Sequence, residues 1–274
     1  MSRVGFIVHE GRSAAVAAAA DLRTQLEDRG VACDGFPGEH PVDLVIAVGG
    51  DGTFLRGALA ASERGAPVVG VKVGRLGFLT EVEPREAARL VLRALEGSAT
   101  IEERLAVLAE PLGDRSFPAQ WGMNEVMVEK SARHRLVRLR MEVDGDYFTT
   151  FSADGVIVAT PTGSTAYSFS ARGPIMSPSV EALVVTAVAP HMVFDRSIVL
   201  DAGQVVTLQV VGDEPGLLSA DGRDTIELPV GASVRVRAAE TRARFVRRPD
   251  ATGFLSRVRE KFDLPGDPSD GDTD

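Results

Sequence analysis

Leu44-Val45-Ile46-Ala47-Val48-Gly49-Gly50-Asp51-Gly52-Thr53-Phe54 is the stretch on which the fold turns. Leu44–Val48 is an unbroken apolar run, as expected of a strand covered on both faces, and such strands belong to parallel sheets flanked by helices. A glycine-rich turn and a helical pattern near Phe54–Glu63 follow it. Outward from there, Val4–Val8 reads as a strand. Ser13 is placed to N-cap a helix through Glu27 that ends at Arg29-Gly30, with Gly30 as its left-handed cap. Val68–Val73 reads as another strand, and Pro84 introduces a helix near Arg85–Glu96. Strands alternating with helices predict an α/β domain over residues 1–99, built on a doubly wound parallel sheet and carrying the Gly49–Thr53 loop.

From about Thr100 the texture changes. In Leu136–Val143, Val137, Leu139, Met141 and Val143 face one way while Arg138, Arg140 and Glu142 face the other, the alternation of a half-buried antiparallel strand. Similar runs recur at Gly155–Ala159, Leu183–Val188, Val205–Val211, Thr225–Leu228 and Ser233–Ala238. Residues 100–251 are therefore expected to form a mostly β domain of packed antiparallel sheets. A short amphipathic helix, Phe254–Phe262, precedes an acidic segment over 264–274 that is expected to be disordered.

Composition narrows the function. The 274 residues carry 30 Lys+Arg against 39 Asp+Glu, a formal charge of −9. Discounting the five aspartates after Lys261 leaves −4, with no broad basic face, so no nucleic-acid partner is expected. Cys33 is alone, which excludes a disulfide framework and a thiolate metal site. No apolar run is long enough to serve as a signal or to span a bilayer, so the expectation is a soluble, cytoplasmic protein without a membrane partner. The histidines at 9, 40, 134 and 191 have no metal-ligand spacing, and no metal site is assigned.

The chemistry concentrates in three places. In Gly49-Gly50-Asp51-Gly52-Thr53, glycines permit positive φ and close approach of backbone N–H groups to an anion, and the following helix adds its positive end. A carboxylate at the centre would repel a phosphate, so Asp51 is better suited to accept a hydroxyl proton or to hold a metal ion that bridges to phosphates. The same residues also suit a tight turn with Asp51 in an Asx-type bond. Neither the G-x-x-x-x-G-K-[ST] loop nor the Rossmann fingerprint is present. The second place is Asp154-Gly155 with Thr160-Pro161-Thr162-Gly163-Ser164-Thr165-Ala166-Tyr167-Ser168. Hydroxyls at 162, 164, 165 and 168 can bind phosphate or ribose oxygens, or Ser164 or Thr165 can cap a short helix. The third is Asn124-Glu125 at the head of Val126–Val128, an amide and a carboxylate able to read an adenine edge or a ribose diol.

Together with Gly74-Arg75-Leu76-Gly77-Phe78-Leu79-Thr80, these segments in this order resemble the bacterial NAD kinase family, over about Val4 to Phe262. The resemblance implies phosphoryl transfer from ATP, or from inorganic polyphosphate, to the 2′-hydroxyl of the adenosine ribose of NAD, with a divalent cation, most simply Mg²⁺, accompanying the donor. It implies Asp51 as proton acceptor, and Gly49, Gly50, Gly52 and Thr53 as the phosphate-donor loop. NAD would be bound by Asp51, Gly52, Phe78 beside the adenine, Asn124 and Glu125 on ribose hydroxyls, Asp154 at the nicotinamide end, and Thr162, Thr165, Ala166, Tyr167, Ser168 and Ser170 along the dinucleotide. By register, Arg135, Ser152, Ala189 and Arg223 fall at further contacts. The resemblance also implies a homodimer or homotetramer, and a C-terminal helix (252–263) that completes the first domain. A lipid kinase shares the Gly-Gly-Asp-Gly-Thr loop, and a non-catalytic NAD(P) sensor would keep the ribose-reading residues while dispensing with Asp51. The absence of a basic amphipathic helix or lipid anchor argues against the first, and the presence of Asp51 against the second. Thr162–Ala166 is not G-x-S-x-G, which sets aside a serine hydrolase.

Overall fold

The computed structural model describes residues 1–36, 38, 40–74, 77–80, 82–113 and 117–265. Along the chain these form β1 (Arg3–Val8), α1 (Ser13–Glu27), β2 (Ala32–Gly35), β3 (Leu44–Gly49), α2 (Asp51–Ser62), β4 (Val68–Lys72), α3 (Pro84–Leu95) and β5 (Thr100–Arg104). There follow β6 (Val107–Leu112), β7 (Gln120–Gly122), β8 (Glu125–Lys130), β9 (Val137–Val143), β10 (Asp146–Ala153) and β11 (Gly155–Ala159). A 3₁₀ turn at Gly163–Thr165 leads into the one-turn α4 (Tyr167–Ser170) and then β12 (Ala182–Val188), β13 (Ile198–Asp201) and β14 (Val206–Val211). The chain ends with β15 (Gly216–Ala220), β16 (Ile226–Leu228), β17 (Ser233–Ala238), β18 (Ala243–Arg247) and α5 (Phe254–Lys261).

Two compact units result, residues 1–103 with the chain from Arg244 onward, and residues 104–243. The first holds a sheet in the order β2-β1-β3-β4-β18-β5, with parallel pairing of β1 with β2, β1 with β3, β3 with β4 and β4 with β18. Every residue of β3 is buried, as its apolar run required. α2 lies close on β3 because Gly57 has no side chain: a Cβ there would sit 2.9 Å from that of Ala47. α3 turns Ala87, Ala88, Leu90 and Val91 to the sheet, and full burial of each larger apolar side chain contributes about 1.5–3 kcal/mol.

The second unit is two antiparallel sheets, β10-β9-β14-β17-β6-β7 and β13-β12-β11-β8-β15-β16. Their facing sides share one core, in which Val126, Val128, Val156 and Val158 of the second sheet pack with Leu139, Met141, Leu208 and Val234 of the first. The opposite side of the β8/β11/β12 sheet carries Met127, Ile157 and Val184, with Met176 packed among them.

Several local expectations need correction. Ser13 is the first helical residue rather than the cap. Arg12 holds the cap position, and no side chain caps the helix. Gly30 is left-handed, at φ +77°, but lies beyond the C-cap residue Asp28. The glycines of the Gly49–Thr53 loop do not take positive φ: Gly49 continues β3, Gly50 is extended at φ −106°, and α2 starts at Asp51. The β domain expected over 100–251 takes in β5 and β18, yet both join the sheet of the first unit, where Phe245 pairs with Val68 and stacks edge-to-face on Phe54 at 5.0 Å. Most of the acidic segment, residues 266–274, lies outside the described residues, as do Arg75 and Leu76.

Candidate active site

In the first unit the strand order reverses between β1 and β3, and ligands of open α/β sheets bind beyond the carboxyl ends of the strands at such a point. The Gly49–Thr53 loop lies at the carboxyl end of β3. Gly49 is required by packing, since a Cβ there would fall 2.6 Å from Thr53 Oγ1. Gly50 and Gly52 face open space, with nothing within 4 Å of a built Cβ. The first turn of any helix leaves N–H groups without intrahelical partners, and those of α2 make a ready seat for an anion. Thr53 Oγ1 and His9 Nδ1, both buried, have no hydrogen-bond partner among the described residues. A cavity of about 620 Å³ opens alongside, lined in part by His9, Arg23 and Arg56. Arg56 was missed at the level of sequence. Its signal was a lone cation in the small and apolar run Phe54-Leu55-Arg56-Gly57-Ala58.

Asp51 makes no local Asx turn. Its Oδ2 accepts the Phe78 N–H at 2.8 Å, and its Oδ1 accepts those of Leu79 and Thr80 at 3.1 and 3.3 Å, with the Thr80 hydroxyl at 3.5 Å. The backbone reaches the carboxylate this closely because residue 77 is glycine: a Cβ there would lie 2.1 Å from Asp51 Oδ1. Oδ1 is saturated, while Oδ2 keeps a second lone pair for an incoming proton.

In the second unit Asn124 and Glu125 stand at the head of β8. Met123, Asn124 and Glu125 donate successive N–H groups to Asp221, at 2.8, 2.8 and 3.2 Å. Asp221 itself sits at φ +51°. It too was missed, because nothing local in Asp221-Gly222 reveals a partner about a hundred residues away. Burial pushes the Glu125 carboxyl up to about 8, with the Asp221 charge adding to the rise, and Glu125 Oε2 has no partner among the described residues. Burial likewise raises Asp221, against the pull of its three N–H donors and of Arg223. Arg223 binds the carbonyls of Ala220, at 2.9 Å, and Trp121.

The Thr160–Thr165 turn rides directly on this dipeptide. Thr160 donates its N–H to Asn124 O at 2.8 Å and its hydroxyl to Met123 O at 2.6 Å, and a Cβ on Gly163 would lie 2.0 Å from Asn124 O. The alternative role of Ser164 or Thr165 as a helix cap is not found. Ser164 Oγ donates to Pro161 O at 2.6 Å and accepts from Met176 N at 2.9 Å, and Thr165 Oγ1 donates to Thr162 O at 3.2 Å. Thr162 is buried, with Arg104 Nη1 3.5 Å from its hydroxyl. Ser168 is fully buried, and its hydroxyl hydrogen-bonds that of Thr186, 3.1 Å away.

The remaining assigned residues form a second cluster. Asp154 precedes β11 and pairs with Lys130 Nζ at 2.5 Å. Nearby, the Ser152 carbonyl accepts the N–H of His191 at 2.7 Å, and Ala189 is left-handed at φ +44°. In the β8/β11 pair, Ala159 faces Glu125 and Gly155 faces Glu129, so the two clusters lie on the order of 13 Å apart along the strands. α4 reaches between them, since Ser168 bonds Thr186, which pairs with Ile157 at the middle of β11. Ala166 leads into α4, Tyr167 is exposed, and Ser170 Oγ donates to Ala166 O at 3.5 Å. Arg135 stands apart, largely exposed and 3.4 Å from Glu214.

Comparison with known proteins identifies the family and the fold. The ATP-NAD kinase N-terminal domain matches residues 34–99 and the ATP-NAD kinase C-terminal domain residues 123–248. NAD kinase 2 of Streptomyces avermitilis is 42% identical over 226 residues, covering 81% of this chain and 74% of its own. NAD kinase 1 of Streptomyces coelicolor is 38% identical over 320 residues, covering 98% and 88%. Among solved structures, yeast NADH kinase complexed with NADH superposes with a TM-score of 0.87 at 23% identity, over 97% of this chain and 89% of its own. An Archaeoglobus fulgidus NAD kinase in complex with ATP gives 0.76 at 24%, over 96% and 97%. At that identity the structures establish the fold. The lipid-kinase and sensor readings gain no support, and the extent of the sequence matches leads to one conclusion: the chain belongs to the NAD kinase family, enzymes that transfer phosphoryl groups.

Proposed function

We propose that the protein transfers the terminal phosphoryl group of ATP to the 2′-hydroxyl of the adenosine ribose of NAD, giving NADP, with Asp51 as the proton acceptor. The observation that carries this is the Asp51 carboxylate, held by the N–H groups of Phe78, Leu79 and Thr80 at the start of α2, with one lone pair of Oδ2 uncommitted. The donor phosphates sit at the α2 N-terminus against Gly50, Gly52 and the Thr53 hydroxyl, with Arg56 adding positive charge. Asn124 and the protonated Glu125 hold ribose hydroxyls, and Asp154 and the Tyr167–Ser170 segment line the rest of the dinucleotide. A carboxylate is a weak base for an alcohol. In a loose phosphoryl-transfer transition state the proton leaves late, so Oδ2 takes it as the new P–O bond forms.

Among the described residues no group of three or more His, Cys, Asp and Glu can hold a metal ion, and Asp51 Oδ1 is already filled. The fit is to a divalent cation that would be held mainly by phosphate oxygens, with Thr53 Oγ1, buried and without a partner among the described residues, as the side-chain oxygen beside it, and what the ion would supply is neutralisation of the donor's charge. Polyphosphate would suit the same seat. Self-association as a homodimer or homotetramer is supported by exposed Tyr147, Phe148, Val193 and Phe194, with Phe148 on an edge strand and its ring 5.6 Å from that of Phe194. No described helix is long and apolar enough to cross a membrane, and the proposed compartment is the cytoplasm.

The test is to incubate purified protein with NAD, Mg²⁺ and either ATP or polyphosphate, and to detect NADP with an NADP-specific dehydrogenase. NADP formation that is lost in Asp51→Asn supports the proposal and identifies the donor. NAD binding without NADP would point to a sensor, and neither binding nor NADP would return weight to a lipid kinase.

A further inference from the structure

Arg257 lies on α5, is only 7% exposed, and has no place in the chemistry derived above. Its guanidinium donates from Nη1 to the Phe78 carbonyl at 2.6 Å and from Nη2 to the Thr252 carbonyl at 3.3 Å. Phe78 is the residue whose N–H donates to Asp51 Oδ2 at 2.8 Å. The same helix end also holds the Phe78 ring, since Phe262 packs on it with centroids 5.9 Å apart and Lys261 Nζ lies 6.0 Å from its centroid. One residue is thus gripped by its carbonyl and its ring from the C-terminal segment, while its amide grips the carboxylate. The turn at 77–80 contains a glycine that cannot be replaced without striking Asp51 and belongs to no helix or strand, so it has little rigidity of its own.

We propose that Arg257 is a positioning residue for phosphoryl transfer: by fixing the Phe78 carbonyl it sets the Phe78–Leu79 peptide, whose Leu79 N–H holds Asp51 Oδ1, and steadies the residue whose own N–H orients Oδ2, so that α5 acts as a clasp on the catalytic carboxylate. The inference rests on the reading of Asp51 as proton acceptor. A buried guanidinium is costly unless fully bonded, and its placement on two backbone carbonyls beside the catalytic turn uses its fork of donors to fix a geometry that a lysine reproduces only in part.

Steady-state NADP formation on the full chain decides the matter, with Arg257→Ala, Arg257→Lys, Phe262→Leu and Asp51→Asn compared with the parent, and the exposed Arg259→Ala as a control on the same helix. Misplacing a reacting group by about an ångström costs up to about 100-fold, so Arg257→Ala is expected to lower kcat by about 10- to 100-fold with the KM for ATP unchanged. Arg257→Lys recovers part of the loss, Phe262→Leu raises the KM for NAD, and Arg259→Ala behaves as the parent. A parental kcat per folded molecule in Arg257→Ala, with Asp51→Asn inactive, overturns the clasp and leaves the base assignment standing. Should circular dichroism show Arg257→Ala unfolded, Phe262→Leu decides, and parental kcat and KM there overturn the clasp. Full activity in Asp51→Asn brings down the base assignment and the clasp together.

Discussion

Asp51 and Asp221 are bound in nearly the same way in different surroundings. Each accepts three successive backbone N–H groups, Oδ2 taking the first and Oδ1 the next two, from residues 78–80 in one case and 123–125 in the other. The surroundings separate them. Asp51 opens a helix beside glycines that face empty space, which suits the proton-accepting role proposed for it. Asp221 has the Glu125 carboxyl as a neighbour, and burial raises both groups. The Asp221 ring of N–H groups serves to present Asn124 and Glu125. A carboxylate's hydrogen bonds therefore show how firmly it is held, and the space beside it shows whether it can act as a base.

The largest expected effect strikes the acting member. General-base contributions run about 10²–10⁴ in rate, so Asp51→Asn is expected to lose that factor in kcat while keeping its fold and most of its NAD affinity, read by NADP formation and by calorimetry. Gly77→Ala leaves the carboxylate in place but drives a methyl into it, and a loss of about 10²-fold in kcat with little change in melting temperature is expected. Equal activity there would mean that the 77–80 turn does not orient Asp51. Asp221→Asn tests the presenting member. The amide offers one acceptor oxygen for three donors, so about 1–3 kcal/mol of stability is expected to be lost in urea titration, with a raised KM for NAD and a smaller change in kcat. A kcat collapse at constant KM would erase the distinction between the two aspartates.

The last test reads a slope. Glu125 titrates near 8 in the folded protein and near 4.5 in the unfolded chain, so between these values the folded state binds more protons. Stability is then greatest below the lower value and falls as pH rises through the upper one, by up to about 1.4 kcal/mol per pH unit. Thermal melts from pH 5 to 9 should show this decline, flattened in Glu125→Gln. An unchanged slope in that variant would mean that Glu125 is ionised when folded.

Local pattern made much of this legible. β11 and β17 fall on the residues that alternation or continuous hydrophobicity marked, and Pro84 begins α3 as a proline should. β2 and β5, short and only partly buried, carried too little periodicity to be noticed, and β18, whose five residues include two arginines, was not marked as a strand at all, so nothing separated it from the β domain. The hydroxyls of 162–168 have tertiary partners that residue type does not announce: Ser164 and Ser168 are buried and bonded within the protein.

By itself the sequence determined the two fold textures, the glycine loop after a buried strand and the carboxylate within it, because hydrophobic period, turn chemistry and acid–base character reside in neighbouring residues. Tertiary structure alone decided that residues 78–80 hold Asp51, that Asp221 holds 123–125, and that Arg257 reaches back 179 positions to the Phe78 carbonyl. Such partners are set by where strands and turns converge in space, and a backbone N–H or carbonyl leaves no mark in the identity of its residue.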